Sequence, residues 1–322
     1  MRESYYFETS AVNFLYDVFS KDEKFSSIKT KKLQISKGRK WYLSSATLWE
    51  IFKTKDEKKR HELFDFCRCL FYDHLIKSPE EIIINFVKSG CPSVEKSYNL
   101  DSSDLGLFAK EWRNACKDIR FVFQPDEKQI NDRTNALQFF GKYLYKKQKG
   151  YELKGCQELI DQSYHLLGIR LESLLKKLFN EFDNITEEEK QFTSVVFHVA
   201  LITICYGITL DQQIIESYWN SIGISKPISR IECLVENSIS LFFRGPIANI
   251  AKMMVLQSNG KYGRGVFFDS LHSAYITYSD LYFTADNHFI NFKNEIADPN
   301  MLKIVHTKDM VFETPVISAR ES

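Results

Sequence analysis

The stretch Leu281-Tyr-Phe-Thr-Ala-Asp-Asn-His-Phe289 is the clearest indication of the fold. It predicts a short apolar strand that is followed, two residues later, by a helix. A second stretch of the same kind, Ser4-Tyr-Tyr-Phe-Glu-Thr-Ser10, stands near the start of the chain and leads into helical spacing over residues 11–19. In both stretches, acidic and hydroxyl residues lie where the strand ends. A strand-to-helix unit at each end of the chain predicts an α/β fold.

Strand and helix signals alternate through both terminal regions of the chain. Further short strands are predicted at 41–43, 75–77 and 302–306, each beside a helical pattern. Alternation of this kind is typical of a mainly parallel sheet with helices on its faces. Residues 97–245 are helical in pattern throughout, so we expect a core in two parts, 1–96 and 246–322, with 97–245 as an all-helical insertion.

Composition excludes several classes of protein. Of the 322 residues, 44% are hydrophobic and 26% are charged, which suits a globular chain and argues against disorder. Lys and Arg number 43 against 42 Asp and Glu, for a formal net charge of +1. A nucleic acid would therefore have to be bound by a local basic patch, since the chain is no bulk polycation.

The location predicted from the sequence is the cytoplasm, with no membrane partner. No signal-peptide pattern follows Met1, and the 7 cysteines contain no C-x-x-C pair, which favours reduced thiols. The most apolar run, Phe192–Ile208, is shorter than the roughly 20 residues that a membrane span needs. Thr186 and Glu189 form a capping-box pattern before it, as at the start of a helix in a soluble protein.

Four acidic residues are placed where this layout would expose them. Glu8 ends the first strand, Glu50 lies in the helix after the second strand, Asp269 is expected at the head of a helix, and Asp286 follows strand 281–284. Ligands of an open parallel sheet bind outside the carboxyl ends of its strands. Four carboxylates that converge there would repel one another unless a cation shared them, and Mg²⁺ and Mn²⁺ prefer such oxygen ligands.

The segments around these carboxylates resemble the four motifs of PIN-domain nucleases. They are Phe7-Glu-Thr-Ser10, Ser45-Ala-Thr-Leu-Trp-Glu50, Asp269-Ser-Leu-His-Ser-Ala274 and Thr284-Ala-Asp-Asn-His-Phe289. The resemblance covers roughly residues 1–95 and 260–310 and leaves the helical block unmatched. It implies a three-layer PIN-like fold with a central sheet, and metal-dependent hydrolysis of phosphodiester bonds, usually in RNA.

Carried over to this sequence, the resemblance makes Glu8, Glu50, Asp269 and Asp286 the catalytic residues and the ligands of one or two Mg²⁺ or Mn²⁺ ions. Such ions activate a water and stabilise the leaving oxygen. The family usually has Asp where this chain has Glu8. The extra methylene moves the carboxylate, so the site would favour Mn²⁺, bind metal more weakly, or be inactive.

Further residues are candidates for substrate binding. The resemblance implies that Ser10 holds a metal-bound water or a phosphate oxygen. It implies that Thr284 orients Asp286 or a water. Lys37, Arg39 and Lys40 lie in a basic stretch that enters the second strand and could contact phosphates. Arg264, five residues before Asp269, could do the same.

Each acidic residue also has a plainer interpretation. Asp269 and Asp286 could simply cap the helices that follow them, Glu50 could complete a capping box with Thr47, and Glu8 could be a solvated strand end.

The sequence therefore predicts an endoribonuclease, with a bacterial toxin or antiphage effector as the setting that the resemblance suggests. Two alternatives stay open: a catalytically impaired PIN-like scaffold that binds a protein or RNA partner through its helical block, and a DNA flap-type nuclease. The sequence is compatible with a protein regulator that binds the helical block. It is also compatible with assembly of the chain into an oligomer.

Overall fold

A computed structural model describes most of both terminal regions and much of the helical block. The described residues are 3–19, 39–52, 54–71, 75–76, 78–88, 140–149, 171–182, 184–204, 212–239, 243–259, 264–295 and 299–310. They divide into two compact units. The first unit contains the described residues up to 76 and from 279 onward, and the second contains those from 78 to 278.

The first unit is built on a parallel sheet of five strands. They are β1 (Ser4–Phe7), β2 (Lys40–Ser44), β3 (Leu75–Ile76), β4 (Leu281–Thr284) and β5 (Ile304–His306). Their order is β3-β2-β1-β4-β5. The register pairs Tyr6 with Tyr42 on one side and with Tyr282 on the other, which puts the first strand at the centre of the sheet.

The strands are short apolar runs because the centre of the sheet is buried. Tyr6, Phe7, Trp41, Leu43 and Tyr282 are each at most 1% exposed. A parallel sheet that is covered on both faces is expected to show continuous apolar runs of this kind. Phe7 stacks on Phe283 with 4.9 Å between ring centroids, which ties the first and fourth strands together.

Four helices accompany these strands among the described residues of the first unit. They are α1 (Thr9–Phe19), α2 (Ser45–Phe52), α3 (Glu57–Phe71) and, near the end of the chain, Asn287–Glu295. Helix α1 buries Ala11, Val12, Leu15 and Phe19, as its helical spacing predicts. Short 3₁₀ turns flank β5 at Pro299–Lys303 and Thr307–Asp309.

The second unit is helical throughout its described residues. Its helices are α4 (Pro79–Lys88), α5 (140–148), α6 (Leu171–Glu181), α7 (Glu187–Ile204), α8 (Gln212–Ser221), α9 (Pro227–Asn237), α10 (Pro246–Asn259) and α11 (Arg264–His272), with a 3₁₀ segment over Ser273–Tyr278. Asn287–Glu295 of the first unit is α12. Helices α7 and α10 are buried on most sides and pack against each other at the centre of this unit.

The predicted alternation of strands and helices, and the mixed α/β class, are confirmed. The predicted capping box of α7 is also present, since Glu189 N–H donates to Thr186 Oγ1 at 3.2 Å and Thr186 N–H donates back to Glu189 at 3.0 Å. None of the described helices is long and apolar enough to cross a membrane.

The division into units differs from the boundaries expected from the sequence, at 96/97 and 245/246. Helices α4, α10 and α11 belong to the helical unit and not to the unit with the sheet. The physical reason is packing, because α4 and α10 bury their apolar side chains, such as Ile83, Val87, Ile247 and Ile250, in the same core as α7.

Candidate metal centre at the carboxyl ends of β1 and β4

The connections from the two central strands of the sheet run in opposite directions. The chain leaves β1 to form β2 on one side, and it leaves β4 to form β5 on the other. Ligands of open parallel sheets bind at such a reversal, in the crevice outside the carboxyl ends of the strands. Glu8 and Asp286 follow these two carboxyl ends, as the sequence predicts.

Glu8 is almost completely buried, with 4% of its surface exposed. Its Oε2 accepts the N–H of Ser10 at 2.9 Å, and its Oε1 accepts the hydroxyl of Thr284 at 2.8 Å and the N–H of Ala11 at 3.3 Å. The Ser10 hydroxyl donates to Oε1 as well. Glu8 is therefore no solvated strand end, and its charge is satisfied inside the first unit.

Ser10 and Thr284 link this carboxylate to the segment after β4. Ala285 N–H donates to Ser10 Oγ at 2.8 Å, and Asp286 N–H donates to Thr284 Oγ1 at 2.9 Å. Thr284 is fully buried. Both hydroxyl residues predicted for the site thus contact Glu8 and the segment after β4, while the binding of a water or a phosphate by them stays a prediction.

Glu50 reaches the same end of the sheet from helix α2. Its Oε2 accepts a hydrogen bond from the hydroxyl of Thr9, the residue after Glu8. It forms no capping box with Thr47, because α2 begins two residues earlier and Ser44 Oγ accepts the N–H of Thr47 at 3.2 Å. Glu50 is half-buried and faces the first turn of α1.

Asp286 is partly accessible, with 35% of its side chain exposed. Its Oδ1 accepts the N–H of His288 at 2.8 Å and lies 3.4 Å from His288 Nδ1. Asp286 therefore caps α12, as the plainer interpretation predicted. Among the described residues, its Oδ2 accepts no hydrogen bond, so capping leaves one oxygen for a further ligand.

Tyr6 is a fully buried residue near the carboxylates of Glu8 and Glu50. Its hydroxyl shares a hydrogen bond of 2.8 Å with that of Ser44. Burial, together with the charges of Glu8 and Glu50, raises the pKa of Tyr6 well above its usual value, so the phenol stays neutral.

Sequence reasoning missed Tyr6 and Thr9 as residues of the site. Tyr6 and Glu8 are two positions apart, so the alternation of a strand puts them on one face, and this signal could have found Tyr6. The contact between Thr9 and Glu50 depends on tertiary packing, for which the sequence carries no local signal.

Asp269 lies elsewhere than in the first unit. It belongs to α11 of the second unit, inside the helix and not at its head, because the helix begins at Arg264. It is therefore not the cap of this helix, and its part in a metal site stays a prediction. Arg264 opens the same helix, and its side chain lies outside the described part of the chain.

The basic candidates lie at the amino-terminal ends of the strands, opposite the end that carries the acidic residues. Lys40 begins β2 and pairs in register with Ser4, while Arg39 contacts Glu3 at 3.1 Å and lies over the ring of Tyr5. At about 3.3 Å per residue, the length of β2 puts Lys40 about 13 Å from the carboxyl edge. A phosphate that Arg39 or Lys40 contacts would therefore lie at the amino-terminal end of the strands, and their contact with substrate stays a prediction. Lys37 lies outside the described residues.

The chemistry that this group can perform follows from its oxygens. Glu50 and Asp286 are partly exposed carboxylates, which are ligands of the type that Mg²⁺ and Mn²⁺ prefer. His288 adds an exposed imidazole beside Asp286. Asp286 and His288 thus place a carboxylate and an imidazole side by side, and the hydroxyl of Thr284 fixes the backbone of Asp286; a metal ion bound to them stays a prediction.

Comparison with known proteins identifies no relative. No family model matches the chain, and neither the curated proteins nor the solved structures contain a match.

Proposed function

We propose that this protein is a metal-dependent endoribonuclease with a PIN-like fold. The observation that carries the proposal is that three acidic segments lie at the carboxyl ends of the strands, where the direction of the strand connections reverses. Glu8, Glu50 and Asp286 reach that point from a strand end, a following helix and a second strand end. The resemblance of their motifs to PIN-domain nucleases supplies the reaction, since fold alone does not imply function.

The donor set fits a divalent cation in part. Asp286 offers an oxygen that accepts no hydrogen bond from the described residues, and Glu50 lies partly exposed on the neighbouring helix. Glu8 fits less well, because hydrogen-bond donors enclose its carboxylate. The resemblance implies that Asp269, which belongs to the other unit, is also required. An Asp269→Asn variant tests whether it is.

In this proposal Glu50 and Asp286 hold Mg²⁺ or Mn²⁺, and the bound ion supplies Lewis-acid activation of a water and of the leaving oxygen. Thr284 and the backbone after it keep the Asp286 carboxylate directed outward, because Asp286 N–H is anchored on the Thr284 hydroxyl. Asp286 also fixes the first turn of α12 and with it the imidazole of His288. These residues bind and orient, and RNA is the substrate class that the resemblance indicates.

The proposal extends by analogy to a toxin or antiphage effector whose activity is restrained by a partner on the helical unit. The exposed side chains of Lys142, Lys146 and Lys149 on and after α5 give that unit a basic surface for RNA.

Purified protein incubated with total RNA or single-stranded DNA, each with Mn²⁺, Mg²⁺ or EDTA, tests the proposal beside Asp269→Asn. We expect cleavage of RNA that requires metal and is lost in the variant. Cleavage confined to single-stranded DNA would favour the flap-type alternative. Absence of cleavage in every condition, together with absence of stabilisation by Mn²⁺, would favour the scaffold alternative.

A further inference from the structure

Hydrogen-bond donors surround the buried Glu8 carboxylate without any cation. A carboxylate offers about four lone-pair directions, and four donors already address this one. They are the N–H groups of Ser10 and Ala11 and the hydroxyls of Ser10 and Thr284. Three of the four bonds end on Oε1, so this oxygen could bind a metal only by giving up at least one of them.

Two of the donors make Glu8 the cap of helix α1. Its backbone carbonyl accepts the N–H of Val12 at 3.0 Å, the first bond of the helix, and its side chain accepts the N–H groups of the second and third helical residues, Ser10 and Ala11. Side-chain oxygens at helix N-termini commonly satisfy these N–H groups. The positive end of the helix dipole also favours the negative charge of Glu8.

The other donors extend from Glu8 to the neighbouring strand. A hydroxyl carries one proton, and Ser10 and Thr284 each donate theirs to Glu8. Their lone pairs are then directed at the N–H groups of Ala285 and Asp286, which donate to them at 2.8 and 2.9 Å. Through two hydroxyls, one buried carboxylate fixes the segment that carries Asp286.

The length of the Glu side chain gives this arrangement a reason. An Asp at position 8 could still cap its own helix, because Asp is a favoured capping residue. Its carboxylate would be shorter by one methylene, more than about 1 Å, and would fall short of a hydrogen bond with Thr284. The departure from the usual Asp of PIN-domain nucleases thus matches the contact with β4.

We propose that Glu8 is a positioning residue that holds the Asp286 segment through Ser10 and Thr284, and that it is not itself a metal ligand. The inference rests on the proposed function for the meaning of Asp286. The hydrogen bonds on which it depends are properties of the first unit alone.

Glu8→Asp separates the capping role from the positioning role. We expect the variant to fold with its helix cap intact and, in EDTA, to exchange the amide hydrogens of residues 281–289 about tenfold faster than the wild type, because the hydroxyls lose their acceptor. Its dissociation constant for Mn²⁺, measured by calorimetry, should rise by about tenfold, because the segment that carries Asp286 is held less firmly. Its rate of RNA cleavage at saturating Mn²⁺ should fall by about tenfold.

Three further variants control this comparison. Glu3→Asp makes the same chemical change at the opposite end of β1 and should leave all three measurements unchanged. If Glu8→Asp does not fold, the pair Thr284→Val and Thr284→Ser tests the same connection from β4. Val should reproduce the faster exchange and slower cleavage, whereas Ser keeps the hydroxyl and should behave as the wild type.

Different results separate the failure of this inference from that of the proposed function. If Glu8 were a ligand, as Asp is in the resembled family, Glu8→Asp would change metal affinity by tenfold or more, or increase cleavage, without faster amide exchange, and the inference would be overturned. Unchanged exchange and cleavage would overturn it too. A wild type that neither binds Mn²⁺ nor cleaves RNA would instead contradict the proposed function, while amide exchange would still decide the role of Glu8 in holding the segment.

Discussion

Ser10 and Ala285 are joined by a hydrogen bond of 2.8 Å between the Ser10 hydroxyl and the Ala285 N–H, although 275 positions separate them in the sequence. The bond crosses from the first turn after β1 to the residue after β4. It exists because these strands are parallel neighbours that end at the same edge, with Phe7 opposite Phe283. The candidate site is thus assembled from the two terminal regions of the chain.

Thr284→Val should destabilise the first unit. The substitution keeps the shape of the fully buried side chain but removes a donor to Glu8 and an acceptor for the Asp286 N–H. Buried groups that lose their partner cost about 1–3 kcal/mol, so we expect a loss of that size in the free energy of unfolding by urea.

Thr203→Val is the matched control for this prediction. Thr203 is also fully buried, and among the described residues its hydroxyl bonds only to the Val199 carbonyl of its own helix, at 2.8 Å. Its loss should cost less than about 1 kcal/mol. Equal losses in the two variants would contradict the special role given to Thr284.

Manganese should stabilise the wild type against thermal unfolding, and Asp286→Asn should remove most of that effect. A ligand at 100 times its dissociation constant adds about 2.7 kcal/mol to the stability of the state that binds it. Asp280→Asn is the control at the opposite end of β4, where Asp280 accepts the N–H of Ser4 at 2.7 Å. It should lower stability without metal but keep the shift that Mn²⁺ produces. Equal shifts in the wild type and Asp286→Asn would exclude Asp286 as a ligand.

The contact between α1 and α3 should make stability depend on pH at the alkaline end. The hydrogen bond from the Tyr16 hydroxyl to Glu62 raises the pKa of Tyr16 from 10.0 to about 12. Because the folded protein holds this proton more tightly than the unfolded chain, the contribution is full below pH 10 and is lost as the pH rises toward 12. The difference in unfolding free energy between wild type and Tyr16→Phe should shrink over that interval. A difference that stays constant to pH 12 would argue against the hydrogen bond.

Arg39→Ala should leave the chemical step of cleavage unaffected. Arg39 contacts Glu3 and Tyr5 at the amino edge of the sheet, away from the carboxylates. The rate of single-turnover cleavage at saturating RNA should stay within about twofold of the wild type, as is usual for surface substitutions. A large fall in that rate would mean that RNA spans both edges of the sheet with Arg39 in a productive contact.

The elements of the fold were predictable because their signals are local. The five strands are short apolar runs next to helical patterns, and Thr186 and Glu189 mark the start of α7 at a fixed spacing. The start of α11 was harder to predict from the sequence. Gly263 and Gly265 are typical of a turn, although the helix already begins at Arg264. Asp269 is therefore an interior residue of the helix.

The limits of the two units and the role of Glu8 depend on tertiary contacts. An apolar face shows that α4 or α10 is buried, but not which core receives it. Likewise, the sequence places Glu8 at the end of a strand, whereas the donor that distinguishes its role, Thr284, comes from 276 positions further along the chain. Patterns in the sequence found the carboxylates, and packing decides how they are used.

Single-turnover cleavage of RNA in Mn²⁺, compared between the wild type, Asp286→Asn and Asp280→Asn, tests the central claim most directly. The two substitutions make the same chemical change before and after β4, so Asp280→Asn controls for the loss of a carboxylate away from the proposed metal. We expect the wild type and Asp280→Asn to cleave, EDTA to stop them, and Asp286→Asn to be inactive. Cleavage by Asp286→Asn at the rate of the wild type, or cleavage that persists in EDTA, would contradict the assignment of this site.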